Sequence, residues 1–279
     1  MRTVALRRLD SELVRRSLAK SRAAAADMIQ EGRVRVSGEV KRKPASQVDT
    51  AWPIVVAESV SGEEYVSRGA HKLIGALEAL GDQAPEIKGK VCLDAGASTG
   101  GFTDVLLRRG AKSVLAVDVG YGQLAWQLRQ DPRVVVMERT NIRYLQPSDL
   151  EVVPEVIVGD LSFISLKLII PALLMCAPNA DFLLMVKPQF EVGKGQLGAG
   201  GVVRDVDLRV KAVAGVAQFA ADLGMTVWAI EPSPLPGPAG NVEYFLAMST
   251  DGSRTPILDF QEAARSAILR GPGGDTRGK

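Results

Sequence analysis

VCLDAGASTGGFTDVLLRRG, residues 91–110, carries the strongest single signal in the chain. An apolar run of strand length ends on Asp94 and Ala95, glycines follow at 96, 100 and 101, and an amphipathic helical segment comes next. Glycines at a strand-to-helix turn let a ligand approach backbone N–H groups, and the helix beginning near Thr103 would offer its positive end. A tight turn with structural glycines stands beside that reading. The spacing is not G-x-G-x-x-G. A second apolar run ends in Asp118, where a carboxylate can accept hydrogen bonds from a ribose. A glycine turn followed by such an acid serves nicotinamide and S-adenosylmethionine sites equally well.

Around this unit the chain alternates strand and helix. VCLDAG, SVLAVDVG, VVVMERT, VIVGDL, FLLMVK, TVWAIEP and EYFLAMS are apolar runs of strand length. TDVLLRRG, QLAWQLRQ, LKLIIPALLMC and LRVKAVAGVAQFAADLG read as helices between them. The expected class is therefore α/β, a doubly wound Rossmann-like sheet. Ligands of such sheets bind outside the carboxyl ends of the strands, where this sequence presents Asp94, Asp118, Asp160 and Lys187. Lys187 closes the apolar run LLMV, and a charge at that depth is costly without a partner or a task. A nicotinamide enzyme would also need a histidine or tyrosine acid, and the single histidine, His71, precedes the sheet. Seven strands, the last entered through EPSPLPGPAGNVE, suit the methyltransferase version of the fold, in which the seventh strand inserts antiparallel.

The first 43 residues differ in character. They hold twelve lysines or arginines against five acids, while the whole chain carries a net charge of only +2. RRLDSELVRRSLAKS reads as a helix capped by Asp10, with Leu13, Leu18 and Ala19 on its inner side. SRAAAADMIQEG reads as a second helix capped by Ser21 and closed by Gly32, and RVRVSGEVKRK as a hairpin turning at Ser-Gly. One more short strand should follow in ASQVDTAWPIVV, then a linker around Ser61 and Gly62. Positive charge falls on the helices (Arg8, Arg15, Arg16, Lys20, Arg22), on the hairpin (Arg33, Arg35) and on the segment after it (Lys41, Arg42, Lys43). These charges can be simply a solvated face. Clustered without interleaved aromatics, they suit phosphate contacts to folded RNA better than stacking on single strands.

The expected division is residues 1–62 for a small α+β module and linker, 63–250 for the sheet domain, and 251–279 for a C-terminal helix ending in a disordered tail. At 46% hydrophobic the chain can bury a full-sized core. It has no uninterrupted apolar run of about 18 residues, and MRTVALRRLD lacks the apolar centre of a signal peptide. A cytoplasmic protein without membrane contact is expected. Cys92 and Cys176 sit in apolar company without C-x-x-C spacing, so core positions are expected of them and no metal site.

Two resemblances sharpen this reading. RLDxxLxxxxLAxSRxxAxxMIxxGxVxVxGxVxxKP, residues 8–44, resembles the S4 RNA-binding domain, which implies that Arg22 and the adjoining basic side chains touch structured RNA. SRGAHKL, DAGASTGG, GDLSFISL and VKPQFE, with NVEYF entering the last strand, resemble the FtsJ-type RNA 2′-O-methyltransferases. Joined to an S4 module, the whole chain resembles the TlyA, or hemolysin A, family. That resemblance implies S-adenosylmethionine as cofactor and 2′-O-methylation of cytidine in ribosomal RNA (16S, and 23S in many members) in 30S or 50S subunits. It implies a catalytic set of Lys72, Asp160, Lys187 and Glu243. Cofactor contacts would come from Asp94, Gly96, Ala97, Ser98, Thr99, Gly100, Gly101, Phe102, Asp118, Asn141 and Asp160. Lys187 would act as base or as electrostatic stabiliser, Lys72 would position the hydroxyl, Asp160 would orient Lys187, and Glu243 would hold the lysines.

Each of these residues also has a plainer interpretation. Lys72 can be a surface charge paired with Glu64 or Glu78, Asp160 a helix cap, Glu243 an edge-strand charge, Asn141 a turn residue and Phe102 a core residue. FEVGKGQLGAGGVVRD, with five glycines between 193 and 201, predicts a mobile loop that orders over RNA with Lys194 and Arg204 on phosphates. Rival functions are a non-catalytic ribosome-assembly factor, an indirect hemolysin and a dehydrogenase. A monomer or weak homodimer is expected.

Overall fold

The computed structural model describes residues 6–19, 21–30, 32–57, 65–237 and 239–272, in two compact units, 1–68 and 69–279. Linker residues Ser61 and Gly62 and the tail after residue 272 lie outside the described residues.

In the first unit, β1 (Leu6–Arg8) leads into α1 (Leu9–Arg15) and α2 (Arg22–Gln30), followed by β2 (Val34–Val36), β3 (Glu39–Val40), β4 (Gln47–Asp49) and β5 (Ile54–Val56). Ser21 Oγ accepts the Ala24 N–H at 3.1 Å, so the second helix is capped as its sequence requires. Gly32 ends that helix at φ +76°, a conformation that suits glycine. Ser37 and Gly38 both have positive φ and join β2 to β3, a tight turn whose twist matches its strands. Leu9, Leu13, Ala25, Ile29, Val34, Val36 and Val48 form the core.

Three local expectations are corrected. Asp10 is not the cap of α1: the helix begins at Leu9, and the Asp10 carboxylate in its first turn accepts from Arg8, Arg22 and the Ser11 N–H. The helix stops at Arg15 because Ser17 turns the chain at φ +57°, which leaves Leu18 exposed while Ala19 stays buried. ASQVDTAWPIVV supplies two strands, β4 against β1 and β5 against β2, where one was expected.

The second unit opens with α3 (Ala70–Leu80) and continues through β6 (Val91–Ala95), α4 (Gly101–Arg108), β7 (Ser113–Val117), α5 (Trp126–Arg129) and β8 (Val134–Met137). Next come β9 (Val156–Gly159), α6 (Ile170–Cys176), β10 (Asp181–Val186), α7 (Pro188–Glu191), α8 (Val206–Asp222), β11 (Thr226–Pro232), β12 (Tyr244–Ser249) and α9 (Phe260–Arg270). The strands form one sheet in the order β11-β12-β10-β9-β6-β7-β8. β6 to β10 pair parallel, and β12 inserts antiparallel between β10 and β11. The doubly wound sheet with an antiparallel seventh strand is as expected.

α3 packs on α4 and β11, while α8 packs on α9, β11 and β12. Covered strands need no polar alternation, which explains why β6, β9, β10 and β12 are almost continuously apolar. Leu93, Leu115, Ile157, Phe182 and Leu246 are fully buried, each contributing about 1.5–3 kcal/mol of apolar transfer. Two helices are shorter than their sequences suggested. α5 spans four residues because Ala125 keeps an extended backbone, and the residue before Pro132 resists helix. LKLIIPALLMC divides into a short helical turn, Leu166–Leu168, and α6, which has Pro171 in its first turn. α4 begins at Gly101 rather than near Thr103.

Candidate active site

In the glycine turn after β6, neighbouring chain leaves no room for a side chain at Gly96 or Gly100. A Cβ on Gly96, at φ +85°, would stand 3.2 Å from the Asp160 carbonyl oxygen. One on Gly100, at φ +98°, would stand 2.2 Å from Leu128 Cδ1. Backbone strain and lack of space therefore both demand glycine. Gly96 and Ala97 donate to the Val117 carbonyl, Gly100 donates to that of Ala97, and Thr99 accepts from Ala125. Gly101 then opens α4.

Two carboxylates flank this turn. Asp118, beyond the end of β7, accepts from the Ser98 N–H at 2.8 Å and the Gly120 N–H at 2.6 Å. Asp94 is fully buried; its Oδ2 accepts from Thr103 Oγ1 at 2.7 Å, and its Oδ1 has no hydrogen-bond partner among the described residues. Burial pushes the Asp94 carboxyl up to about 7 despite the Thr103 bonds, and the Asp160 and Asp118 charges push the same way. An unsatisfied buried oxygen beside a glycine turn and a second carboxylate makes an acceptor set that fits a ligand with amino and ribose groups. Asn141 is exposed, and its Oδ1 caps the turn Ile142–Tyr144 by accepting from Arg143 N–H at 3.1 Å. Phe102 is buried and stacks on Phe245 at 6.1 Å between ring centroids.

On the other side of the β6 end, four side chains from four separate segments form a continuous polar chain. Lys72 lies in the first turn of α3, Asp160 follows β9, Lys187 follows β10, and Glu243 precedes β12. The β10–β12 register ends on Val186 opposite Tyr244, which brings Lys187 and Glu243 to one edge of the sheet. Lys72 Nζ donates to Glu243 Oε2 at 2.6 Å and Asp160 Oδ2 at 3.2 Å, with Met185 Sδ at 3.9 Å. Lys187 Nζ lies 2.6 Å from Asp160 Oδ1 and donates to Ser162 Oγ at 2.7 Å.

All but Asp160 among these four are buried, so the surface and edge-strand interpretations of Lys72 and Glu243 do not hold. For Lys72, burial favours the neutral amine, but the Asp160 and Glu243 carboxylates outweigh it and raise its pKa. For Asp160, burial works upward, while Lys187 and then Lys72 bring the carboxyl below its ordinary value. Alternating signs thus satisfy charges that would be costly alone.

Sequence reasoning missed two members of this arrangement. Ser162, two residues after Asp160, holds Lys187 from the far side. Gly237 leaves space for the Glu243 carboxylate, since a Cβ there would lie 2.6 Å from Oε1. Their signal was present in GDLSF and PLPGPAG, but nothing local tells such residues from turn formers.

In the first unit most of the basic side chains expected to meet RNA already hold protein partners. Arg15 and Arg16 both bond the fully buried Glu12, and Arg16 also donates to the Thr50 and Trp52 carbonyls. Arg8 and Arg22 share Asp10. Arg33 donates to Ala57, Arg35 to Gly38 and Arg42 to Gln30, each through a backbone carbonyl, and Lys41 pairs with Glu39. Lys43 is exposed. The Arg15 guanidinium holds the Glu12 carboxyl down at about 2 against the effect of burial, with Arg16 adding to it. Arg8 likewise keeps Asp10 far below the usual carboxylate range. Lys20 and the side chain of Lys194 lie outside the described residues. The glycine-rich segment forms two short helical turns, Lys194–Gln196 and Ala199–Gly201, and Asn241 ties its end down through Val203 N–H and the Gly201 carbonyl.

Among the described residues no helix is long and apolar enough to cross a membrane. Residues 65–250 match the FtsJ-like methyltransferase family, and residues 7–51 match the S4 domain. The chain is 54% identical over 268 residues to the 16S/23S rRNA (cytidine-2′-O)-methyltransferase TlyA of Mycobacterium tuberculosis, covering 95% of this chain and 98% of that one. It is 38% identical to Hemolysin A of Brachyspira hyodysenteriae over 85% of this chain and 97% of the relative. Among solved structures, a protein of Streptococcus thermophilus provisionally called a hemolysin superposes with a TM-score of 0.73 at 36% identity, covering 95% and 96% of the two chains.

Proposed function

The chain belongs to the FtsJ-like methyltransferases, in the S4-bearing branch named TlyA or hemolysin A, and from that premise we propose that it methylates the 2′-hydroxyl of a cytidine ribose in ribosomal RNA. The observation that carries the proposal is the unbroken chain Glu243–Lys72–Asp160–Lys187 at the carboxyl edge of the sheet, next to the glycine turn. S-adenosylmethionine, when bound, supplies an electrophilic methyl group. Gly96 to Gly101 would hold it by their backbone, with Asp118 facing the ribose and the unsatisfied Asp94 oxygen available to a donor.

The two lysines divide the work by their free donors. The three N–H bonds of Lys72 face Asp160, Glu243 and Met185, so Lys72 serves as the fixed cation that keeps both carboxylates in place. Lys187 faces Asp160 and Ser162, which leaves one N–H for substrate. Turned to the ribose 2′-oxygen, it would stabilise the negative charge that develops as the hydroxyl proton passes to water, before that oxygen takes the methyl group and the sulfonium C–S bond breaks to leave a neutral thioether. Holding this oxygen in line with the methyl group supplies much of the rate. The S4 unit docks the RNA, with guanidinium groups on phosphates.

The test is transfer of labelled methyl groups from S-adenosylmethionine to purified 30S and 50S subunits, with Lys187→Ala beside the wild type. Products are mapped by their resistance to cleavage through the 2′-hydroxyl. Transfer to a cytidine that disappears in the variant is expected. Failure of the wild type to label either subunit would overturn the substrate assignment, and failure to bind the cofactor would favour a non-catalytic assembly factor.

A further inference from the structure

The segment that carries Asp160 and Ser162 is gripped by the helix that follows Lys187. Lys187 Nζ donates to Ser162 Oγ at 2.7 Å. The ring of Phe190 in α7 meets that of Phe163 at 5.3 Å between centroids. Glu191, the last residue of α7, accepts from Ser165 Oγ at 2.6 Å through Oε2 and from the Leu166 N–H at 2.8 Å through Oε1. The site thus has two strand-end loops, and Lys187 with Phe190 and Glu191 of α7 fastens one to the other at three points along five residues.

The fastened loop is not in a relaxed conformation. Phe163 has φ +65° and is 89% exposed, so burial does not keep it there and, among the described residues, its ring has only the contact with Phe190 to hold it. Such backbone costs on the order of 1–3 kcal/mol for a bulky residue and persists where surrounding contacts over-determine it. Beyond Phe163, Glu191 is the side chain that binds the loop at two consecutive residues. Its carboxyl is half-buried, and burial keeps it above its ordinary value despite both donors, so these bonds lie in a medium where they hold strongly.

We propose that Glu191 is a positioning residue for methyl transfer: by tying the Ser165–Leu166 turn to α7, it fixes the Ser162 hydroxyl against Lys187. The assignment rests on the transfer reaction inferred above. Glu191 acts through Ser162, whose oxygen is one of the two groups that aim the Lys187 ammonium.

The test is a double-mutant cycle of Glu191→Ala and Ser162→Ala in the full chain, with Glu191→Gln as a conservative variant. Rates are read on ribosomal subunits, together with cofactor affinity, thermal midpoints and amide exchange at Leu166. Glu191→Ala should lower kcat by about tenfold to a hundredfold, leave KM and cofactor affinity near wild type, and expose the Leu166 amide. Glu191→Gln, whose amide oxygen still accepts from Leu166, should recover most of the rate. The double variant should be no slower than the slower single variant, because both remove one linkage. Additive losses, an unchanged kcat in Glu191→Ala, or a rate loss that Glu191→Gln does not rescue would each overturn the assignment. A wild type that transfers no methyl group would overturn the reaction itself and this assignment with it.

Discussion

Gly237 stands where a Cβ would come within 2.6 Å of Oε1 of Glu243. The carboxylate has little freedom to retreat, because its other oxygen is bonded to Lys72 Nζ at 2.6 Å and Glu243 is buried. Gly237 is not in the left-handed region, so a methyl group there adds crowding without backbone strain. Gly237→Ala should therefore displace Glu243 and, through Lys72, Asp160. An expected loss of about tenfold to a hundredfold in kcat, with the thermal midpoint near that of the wild type, is read from initial rates and melting curves. A full-rate variant would show that Glu243 can shift without consequence.

The parts of this arrangement that could be read from the sequence are those with a local cause. β6, its glycine turn and α4 are adjacent in the chain, and apolar run, glycines and amphipathic segment speak for one another. The same holds for the Ser21 cap, the Gly32 stop and the Ser37–Gly38 turn. Lys72 was ambiguous because its neighbours Glu64 and Glu78 offered surface partners, whereas its actual partners are 88 and 171 residues away. α1 ends early because Ser17 turns the chain at φ +57°, and Arg16 at that end reaches the Thr50 and Trp52 carbonyls, 34 and 36 residues on, a contact that no helix propensity records. Ser162, Glu191 and Gly237 acquire their roles only when two loops meet, so no spacing within either loop marks them.

Lys72 is also a stability element. Replacing it with Met leaves the Glu243 carboxylate buried without its cation and takes one of two cations from Asp160. Breaking such a pair from one side costs about 3–5 kcal/mol, whereas removing both partners of a buried pair is often close to neutral. Lys72→Met should therefore be strongly destabilised in urea, and Lys72→Met/Glu243→Leu should recover much of the loss. Neither should transfer methyl groups. A double variant less stable than the single would show that the pair stabilises the fold beyond satisfying its own charges.

The Asp94 carboxyl gives the cofactor-free chain a pH dependence of definite sign. Its folded value is raised from 3.8 to about 7, so between these limits the folded state binds a proton that the unfolded state has released. Stabilisation from that proton is fully present below about pH 3.8 and is lost as pH rises through about 7. The midpoint of the wild type should fall across this window relative to that of Asp94→Asn, whose amide stays neutral throughout. Parallel pH profiles for the two proteins would mean that Asp94 is ionised in the fold.

Glu12 separates two accounts of how the N-terminal unit meets RNA. It is fully buried and holds Arg15 and Arg16 through three hydrogen bonds, so their guanidinium groups are fixed before any RNA arrives. If charge alone governed binding, Glu12→Gln would bind RNA more tightly, since it removes one negative charge from the basic face. If a fixed fork matters more, the variant should bind several-fold more weakly, because freed arginines must be ordered on the phosphates at a cost of about 0.5–1.5 kcal/mol each. The second outcome is expected, measured as the affinity of the full chain for ribosomal RNA at fixed salt. The same variant carries its own control for folding. Because the folded Glu12 carboxyl sits at about 2 against an ordinary 4.5, its contribution to stability is present above about pH 4.5 and lost as pH falls toward 2. Glu12→Gln should therefore flatten the acid dependence of amide protection in α2 and β2. Weaker RNA binding with that protection intact at neutral pH would assign the loss to the freed arginines, and tighter binding would leave net charge as the governing property.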